Sequence, residues 1–366
     1  MLKVYDTRTR QVAAVGSGRR GELRMYTCGP AVDRRAHVGD LRPYLLSDLI
    51  RRAAERGGAM VTVCRDIADI GAAQAARQHG DAFRADLAAL NVRPAEHSPR
   101  ASVSIGLIID VIAALIGSGH AYPAAGGSVF FDARSFPGYG ELSGPGPHAD
   151  WALWNGGAGR DGFSWPSPWG DGFPGWHAAC SALSLHHLGD RIDVHIGGID
   201  LRFPHHENVR AQSDALTGHE VVRRWVHAER VLFEGRAMAA PAGNVVLADL
   251  AARGLDPLAL RVAFLEHRYR QRLDLGWDAL ETADKTLRRW RERVADWARS
   301  PSGVMPRDHV AAVVASFEDD LDTPAALAAL RALERDESVP PGARFEAFAY
   351  LDQLLGLDLA RDVGKP

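Results

Sequence analysis

The order of three segments near the start of the chain constrains the fold more than any other feature. Leu23-Arg24-Met25-Tyr26-Thr27-Cys28 reads as a short strand, broken by Gly29-Pro30. Leu41 to Ala54 carries apolar residues at helical spacing, and Met60-Val61-Thr62-Val63-Cys64 is rich in β-formers. A strand, helix, strand order of this kind predicts a parallel sheet and an α/β domain.

Further helices are expected over Ala82–Leu90, Val103–Ile116 and Cys180–Leu188, and a strand over Ile192–Ile196 closed by Gly197-Gly198. Residues 120–175 are dominated by Gly, Pro, Ser and Trp and read as an insertion or loop region. From about Asp256 onward, an Ala/Leu/Arg pattern with short breaks predicts an all-helical C-terminal part, ending in a loose tail from Asp362.

A formal net charge of −3 offers no general attraction to nucleic acid. The only lysines are Lys3, Lys285 and Lys365, so none lies between positions 3 and 285. The only cysteines are Cys28, Cys64 and Cys180, an odd number that argues against a disulfide framework and leaves buried thiols or metal ligands. No apolar run reaches the roughly 18 residues a membrane span requires, and the N-terminus shows no signal peptide, so the expected location is cytoplasmic, as a monomer or homodimer.

Chemistry-bearing residues fall into a few short segments. His37-Val38-Gly39-Asp40 sits in the loop before the first helix, where unpaired N–H groups favour a phosphate and a histidine can donate to it. Taken alone, the segment favours the plainer reading of a capped loop with an exposed histidine. Cys28, Cys180 and the pair His205-His206 carry the side chains zinc prefers, although their spacing gives no support by itself. Phe203-Pro204-His205-His206-Glu207-Asn208 follows a Gly-Gly strand end, as ligand sites on parallel sheets do. Ser164-Trp165-Pro166-Ser167-Pro168-Trp169 and Gly175-Trp176-His177 concentrate aromatic rings near Cys180, suited to a small pocket or to plain packing.

Together, and in this order, these segments resemble the cysteinyl-tRNA synthetases and equally the mycothiol cysteine ligases, from Leu2 to about Leu359. The resemblance implies a Rossmann-type class I synthetase catalytic domain over 1–228 with a connective insertion at about 95–165. A stem-contact region over 229–265 and a helical domain over 266–366 follow, with no anticodon-binding module beyond. It implies Zn2+ held by Cys28, Cys180 and His205, and cysteine recognised through its thiolate, since a soft metal with an open position discriminates against a serine hydroxyl. ATP with Mg2+ is the implied co-substrate. His37 and Gly39 match the first ATP signature, and Gly198 and Asp200 match a segment that contacts the adenylate. Cys28, Gly29, Ala31, Pro43, Asp66, Ala68, Trp176 and His206 are implied to line the substrate site, with Trp176 walling the side-chain pocket.

The chain departs from the family pattern at several of these positions. The second signature, rich in lysine and serine elsewhere, reads Ala237-Met238-Ala239-Ala240-Pro241-Ala242-Gly243-Asn244, leaving Arg236 as the local cation. Asp40 stands where His or Asn is usual, and a carboxylate there repels phosphates unless a cation lies between. Ala31 and Ala68 replace threonines, and Val209 replaces a fourth, glutamate, zinc ligand. With His37, Asp40 and Arg236 as candidate catalytic groups, two expectations compete. The first is an ATP-dependent cysteine ligase working through cysteinyl-adenylate, with a small amine favoured over tRNA as acceptor. The second is a paralogue that binds cysteine, another thiol or a partner without adenylation.

Overall fold

The computed structural model describes residues 1–16, 21–70, 73–144, 149–159, 162–238 and 244–365. At its centre lies a four-stranded sheet. In chain order its core elements are β1 (Glu22–Thr27), α1 (Arg42–Arg56), β2 (Met60–Arg65), α2 (Trp176–Leu188), β3 (Ile192–Gly198), α3 (His205–Thr217) and β4 (Val222–Ala228). The strands run in the order β4-β3-β1-β2, all parallel, as the opening strand–helix–strand pattern predicts. From β1 the chain continues on one side to β2, while β3 lies on its other side. The crevice at their C-terminal ends is therefore a topological switch point, where such sheets bind ligands.

Registration of the strands sorts their side chains onto two faces. Met25 pairs with Val63 and Val194, and these join the core beneath α1. Tyr26 pairs with Cys64 and His195, and His195 with Trp225, forming a row on the opposite face. Strand β4, unread in the sequence, is an edge strand whose Arg223 and Arg224 interrupt the apolar pattern.

Residues expected to form an insertion fold around a four-stranded antiparallel sheet (Ala121–Pro123, Val129–Phe131, Trp151–Gly156, Gly172–Pro174). The C-terminal part is helical as expected, with helices at Trp277–Trp297, Arg307–Glu318, Thr323–Arg335 and Pro341–Leu355. One strand interrupts the stretch read as wholly helical: Leu273–Leu275 pairs in parallel with Val231–Phe233, because Leu273 and Leu275 bury one face of a short extended run.

A buried ion pair ties these parts together. Asp48 of α1 accepts from Arg261 (2.6 Å), from Arg52 (2.6 Å) and from the Arg93 backbone N–H (2.9 Å). Arg261, in the helix Leu258–Leu265, also donates to the carbonyls of Leu90 and Leu355. Gly356, in the left-handed conformation after the last helix, lies where a Cβ would strike the Arg261 guanidinium. Burial pushes the Asp48 carboxyl up, but Arg261 and Arg52 outweigh it and hold it below its usual range. Removing one partner of such a pair leaves an uncompensated buried charge, so Asp48→Ala is expected to cost roughly 3–5 kcal/mol at neutral pH, read from denaturant unfolding. Since the folded carboxyl is depressed, this contribution is present above its unfolded pKa and is lost as pH falls through the folded value. The difference between wild type and variant therefore narrows on acidification, and an unchanged midpoint at neutral pH refutes the role of the pair.

Candidate functional site

The two-residue period of β1 continues into Cys28, whose N–H donates to the Ile196 carbonyl (3.2 Å). Cys28 thus falls on the Tyr26 face, beneath α2 and α3. In α2, Cys180 lies one turn after Trp176, and His205 opens α3. Ligand atoms of Cys28, Cys180 and His205 lie within 4.8 Å of one another, all on buried residues. The Sγ of Cys28 is 3.4 Å from His205 Nε2. His205 is held in place by His177, Nδ1 to Nδ1 at 2.8 Å, and by stacking on the Trp176 ring at 4.3 Å.

A second set shares the same thiol. His195 Nε2 and His206 Nε2 lie 3.3 and 3.2 Å from Cys28 Sγ. His206 Nδ1 contacts His227 Nε2 at 2.8 Å, and His227 Nδ1 contacts Thr7 Oγ1 at 2.8 Å. His195 Nδ1 is buried and finds no hydrogen-bond partner among the described residues. Burial keeps these imidazoles neutral: His177 is lowered to about 4, His195 and His227 to about 3, and His205 and His206 are also lowered. Burial raises the Cys28 thiol, while its contact with Cys28 together with burial raises Cys180. Neutral imidazoles beside thiols that a cation would ionise are a donor set fitted to a soft metal. Val209, buried one turn along α3 from His205, presents an apolar wall, so a metal here would keep a position open.

Above this cluster opens a cleft of about 440 Å³. It runs from Cys28 and Trp176, past Gly29, Ala31, Pro43, Gly198 and Asp200, to His37, Gly39, Asp40 and Met238. Gly29 is required because a Cβ there would collide with the Asp66 carbonyl oxygen. Its N–H donates to Asp66 Oδ1 at 2.7 Å, and burial raises the Asp66 carboxyl. Ala31 bridges to Ala68, joining the loops after β1 and β2. Tyr44 donates its hydroxyl to the Cys28 carbonyl (3.1 Å).

At the far end, the His37 and Asp40 side chains cap the turn Val38–Leu41 reciprocally. Asp40 Oδ2 accepts the His37 N–H (2.9 Å), and His37 Nδ1 accepts the Asp40 N–H (3.1 Å), which leaves the ring proton on Nε2. Burial lowers His37 while Asp40 works against it.

The structure brings most of the expected substrate-site residues to one cleft and leaves four outside its lining: Asp66, buried behind Gly29; Ala68, which lines a neighbouring pocket; His206; and Arg236. His206 lies buried beneath the cleft, against Cys28, and does not line it. Arg236 is exposed on a short strand paired with Phe233 and is not among the lining residues; Arg34 and Arg230 are the arginines that line the cleft. The Asp40 carboxylate is not an unscreened repulsive charge, because Arg34 pairs with it at 2.6 Å. Residues 239–243 of the second signature lie outside the described residues. Arg34, His177, His195, His227 and Arg230 were missed in the sequence. The alternation Asp193, His195, Gly197 within β3 was the one local signal, placing His195 in register with Tyr26.

Solved structures of similar shape include methionyl-tRNA synthetase from Mycobacterium tuberculosis bound by methionyl-adenylate, with a TM-score of 0.65, 15% identity and 92% of each chain covered. Arginyl-tRNA synthetase from Thermus thermophilus has a TM-score of 0.55, at 17% identity over 97% of this chain and 84% of that one. The fold is thus that of a class I synthetase catalytic core. The family model for tRNA synthetases class I (C) catalytic domain matches residues 15–285. Cysteine--tRNA ligase of Opitutus terrae is 38% identical over 90% of this chain and 80% of its own length, and that of Treponema pallidum 34% over 99% and 86%. The chain belongs to the family of class I tRNA synthetases of this cysteine type.

If the thiol–imidazole cluster binds a metal, Co2+ added to metal-stripped protein is expected to produce a thiolate-to-metal charge-transfer band at one equivalent. Cys28→Ser and Cys180→Ser should each weaken the band and together abolish it, whereas Cys64→Ser leaves it intact. A band that survives the double substitution removes the cluster as the metal centre.

Proposed function

We propose that the chain is an ATP-dependent cysteine ligase that forms cysteinyl-adenylate. The observation that carries this reading is the single cleft joining two chemistries, a soft-donor cluster at its floor and a phosphate-type loop at its rim. A zinc ion held by Cys28, Cys180 and His205 would supply affinity for a thiolate and little for a hydroxyl. Trp176, stacked on His205 and 39% exposed, walls the pocket where the side chain of cysteine would lie. The amino-acid carboxylate then faces the cleft, where its oxygen attacks the α-phosphorus of Mg2+-bound ATP and the bond to pyrophosphate breaks. Orientation in the cleft and hydrogen-bond donors fixed in advance carry most of the rate. The adenylate carbonyl is next attacked by an acceptor, with AMP leaving.

The names of the relatives point to tRNA as that acceptor, since each is a cysteine--tRNA ligase. The small amine expected from the sequence finds no counterpart among them. A second reading, thiol binding without adenylation, draws support from Asp40, whose carboxylate engages the donors of His37 and Arg34. In the described residues no helix is long and apolar enough to cross a membrane.

Cysteine-dependent exchange of pyrophosphate into ATP separates the two. Exchange is expected with cysteine and not serine, falling to background in Cys28→Ala. Trp176→Ala is expected to raise KM for cysteine about tenfold through lost pocket contact, with a smaller effect on kcat. Metal and thiol binding without exchange would leave the second reading standing.

A further inference from the structure

The cleft has a charge problem. A polyphosphate brings several negative charges, yet no lysine lies between Lys3 and Lys285, and the arginine expected to compensate, Arg236, does not line the cleft. Among the described lining residues, the permanent cations are Arg34 and Arg230. Arg230 is exposed at the margin. Arg34 is half-buried beside the phosphate-type loop and forms a fork on Asp40, Nη1 to Oδ2 at 2.6 Å and Nη2 to Oδ1 at 3.2 Å. Nη1 also donates to the Arg35 carbonyl at 3.1 Å.

The other partners of Asp40 matter as much. Its carboxylate also accepts the His37 backbone N–H at 2.9 Å, and its Oδ1 lies 3.3 Å from His37 Nε2, the nitrogen carrying the ring proton. A guanidinium fork and a backbone N–H therefore converge on one carboxylate, with the imidazole Nε2 close beside it. These are the donors that bind a phosphate group, and the fork matches carboxylate and phosphate alike.

We propose that Arg34 is the phosphate-gripping cation of this cleft and that Asp40 acts as an internal anion occupying the same donors until a polyphosphate displaces it. The ligand class is the triphosphate of a nucleotide; the proposal rests on the adenylation reading for the nucleotide itself, but not for the polyphosphate site. With Asp40 seated, the Arg34 guanidinium and the His37 backbone N–H are satisfied, so the cleft holds no unpaired cation at this point. When a triphosphate enters, the guanidinium transfers to its oxygens, Asp40 swings away as a competing acceptor, and the neighbouring His37 imidazole is close enough to join. This arrangement predicts weak basal affinity, because each phosphate contact is made at the expense of an existing one.

The test is titration calorimetry of the metal-bearing protein with inorganic tripolyphosphate and with ATP, cysteine being absent. Arg34→Ala is expected to weaken tripolyphosphate binding at least about tenfold, as loss of charge-assisted bonds implies, with partial recovery in Arg34→Lys. Asp40→Asn keeps an acceptor for the His37 N–H but removes the competing charge, and is expected to tighten binding. Arg230→Ala should have the smaller effect. The proposal is overturned if wild type binds no tripolyphosphate, if Arg34→Ala binds as wild type does, if Asp40→Asn weakens binding, or if Arg230→Ala alone abolishes it. Failure of the adenylation reading is seen separately: Arg34-dependent tripolyphosphate binding without cysteine-dependent exchange retains this inference and removes that one. Exchange undiminished in Arg34→Ala does the reverse.

Discussion

The pairing of Asp48 with Arg261 is the constraint on which the rest of the architecture depends. It is fully buried, and each partner is further bonded, Asp48 to Arg52 and to a backbone N–H, Arg261 to the backbone carbonyls of Leu90, Asn91 and Leu355. A charge in that position is tolerated only with its partners in place. The pair thereby locks α1 to the helix Leu258–Leu265 and to the end of the last helix. At the N-terminus of α1, Arg42 is buried and donates to the carbonyls of Glu229, Arg268 and Gln271. The loop carrying His37, Gly39 and Asp40 precedes α1 directly, so its aim into the cleft follows from how α1 is held at its start and its middle.

The two ends of the cleft are built by different physics. At the floor, soft donors are drawn together in a dry core, where burial keeps imidazoles neutral and thiols protonated. Such groups remain uncharged until a cation arrives. At the rim, the groups are partly exposed, and charge is balanced within the protein by Arg34 and Asp40. The floor resembles a site waiting for a metal; the rim satisfies itself.

Much of the fold was legible because its signals are local. The strand of Leu23–Cys28, the helix that follows and the strand of Met60–Cys64 each declare themselves by period and by Gly or Pro breaks, and their order alone implies a parallel sheet. Strand β4 was not legible, since an edge strand interrupted by Arg223 and Arg224 has no alternating or continuous apolar pattern. The strand Leu273–Leu275 exists only because Val231–Phe233 is there to pair with it.

The same division holds at the site. The sequence by itself determined the family, the soft-donor types at Cys28, Cys180 and His205, and the loss of lysine, because these are matters of residue identity and order. Only the tertiary structure decided what lies next to what. It brought His195 and His206 onto the Cys28 thiol, moved Arg236 out of the cleft and set Arg34 against Asp40. Spacing along a chain carries no information about contacts made across a sheet or between loops. Those follow from strand register and helix anchoring, which are properties of the packed whole.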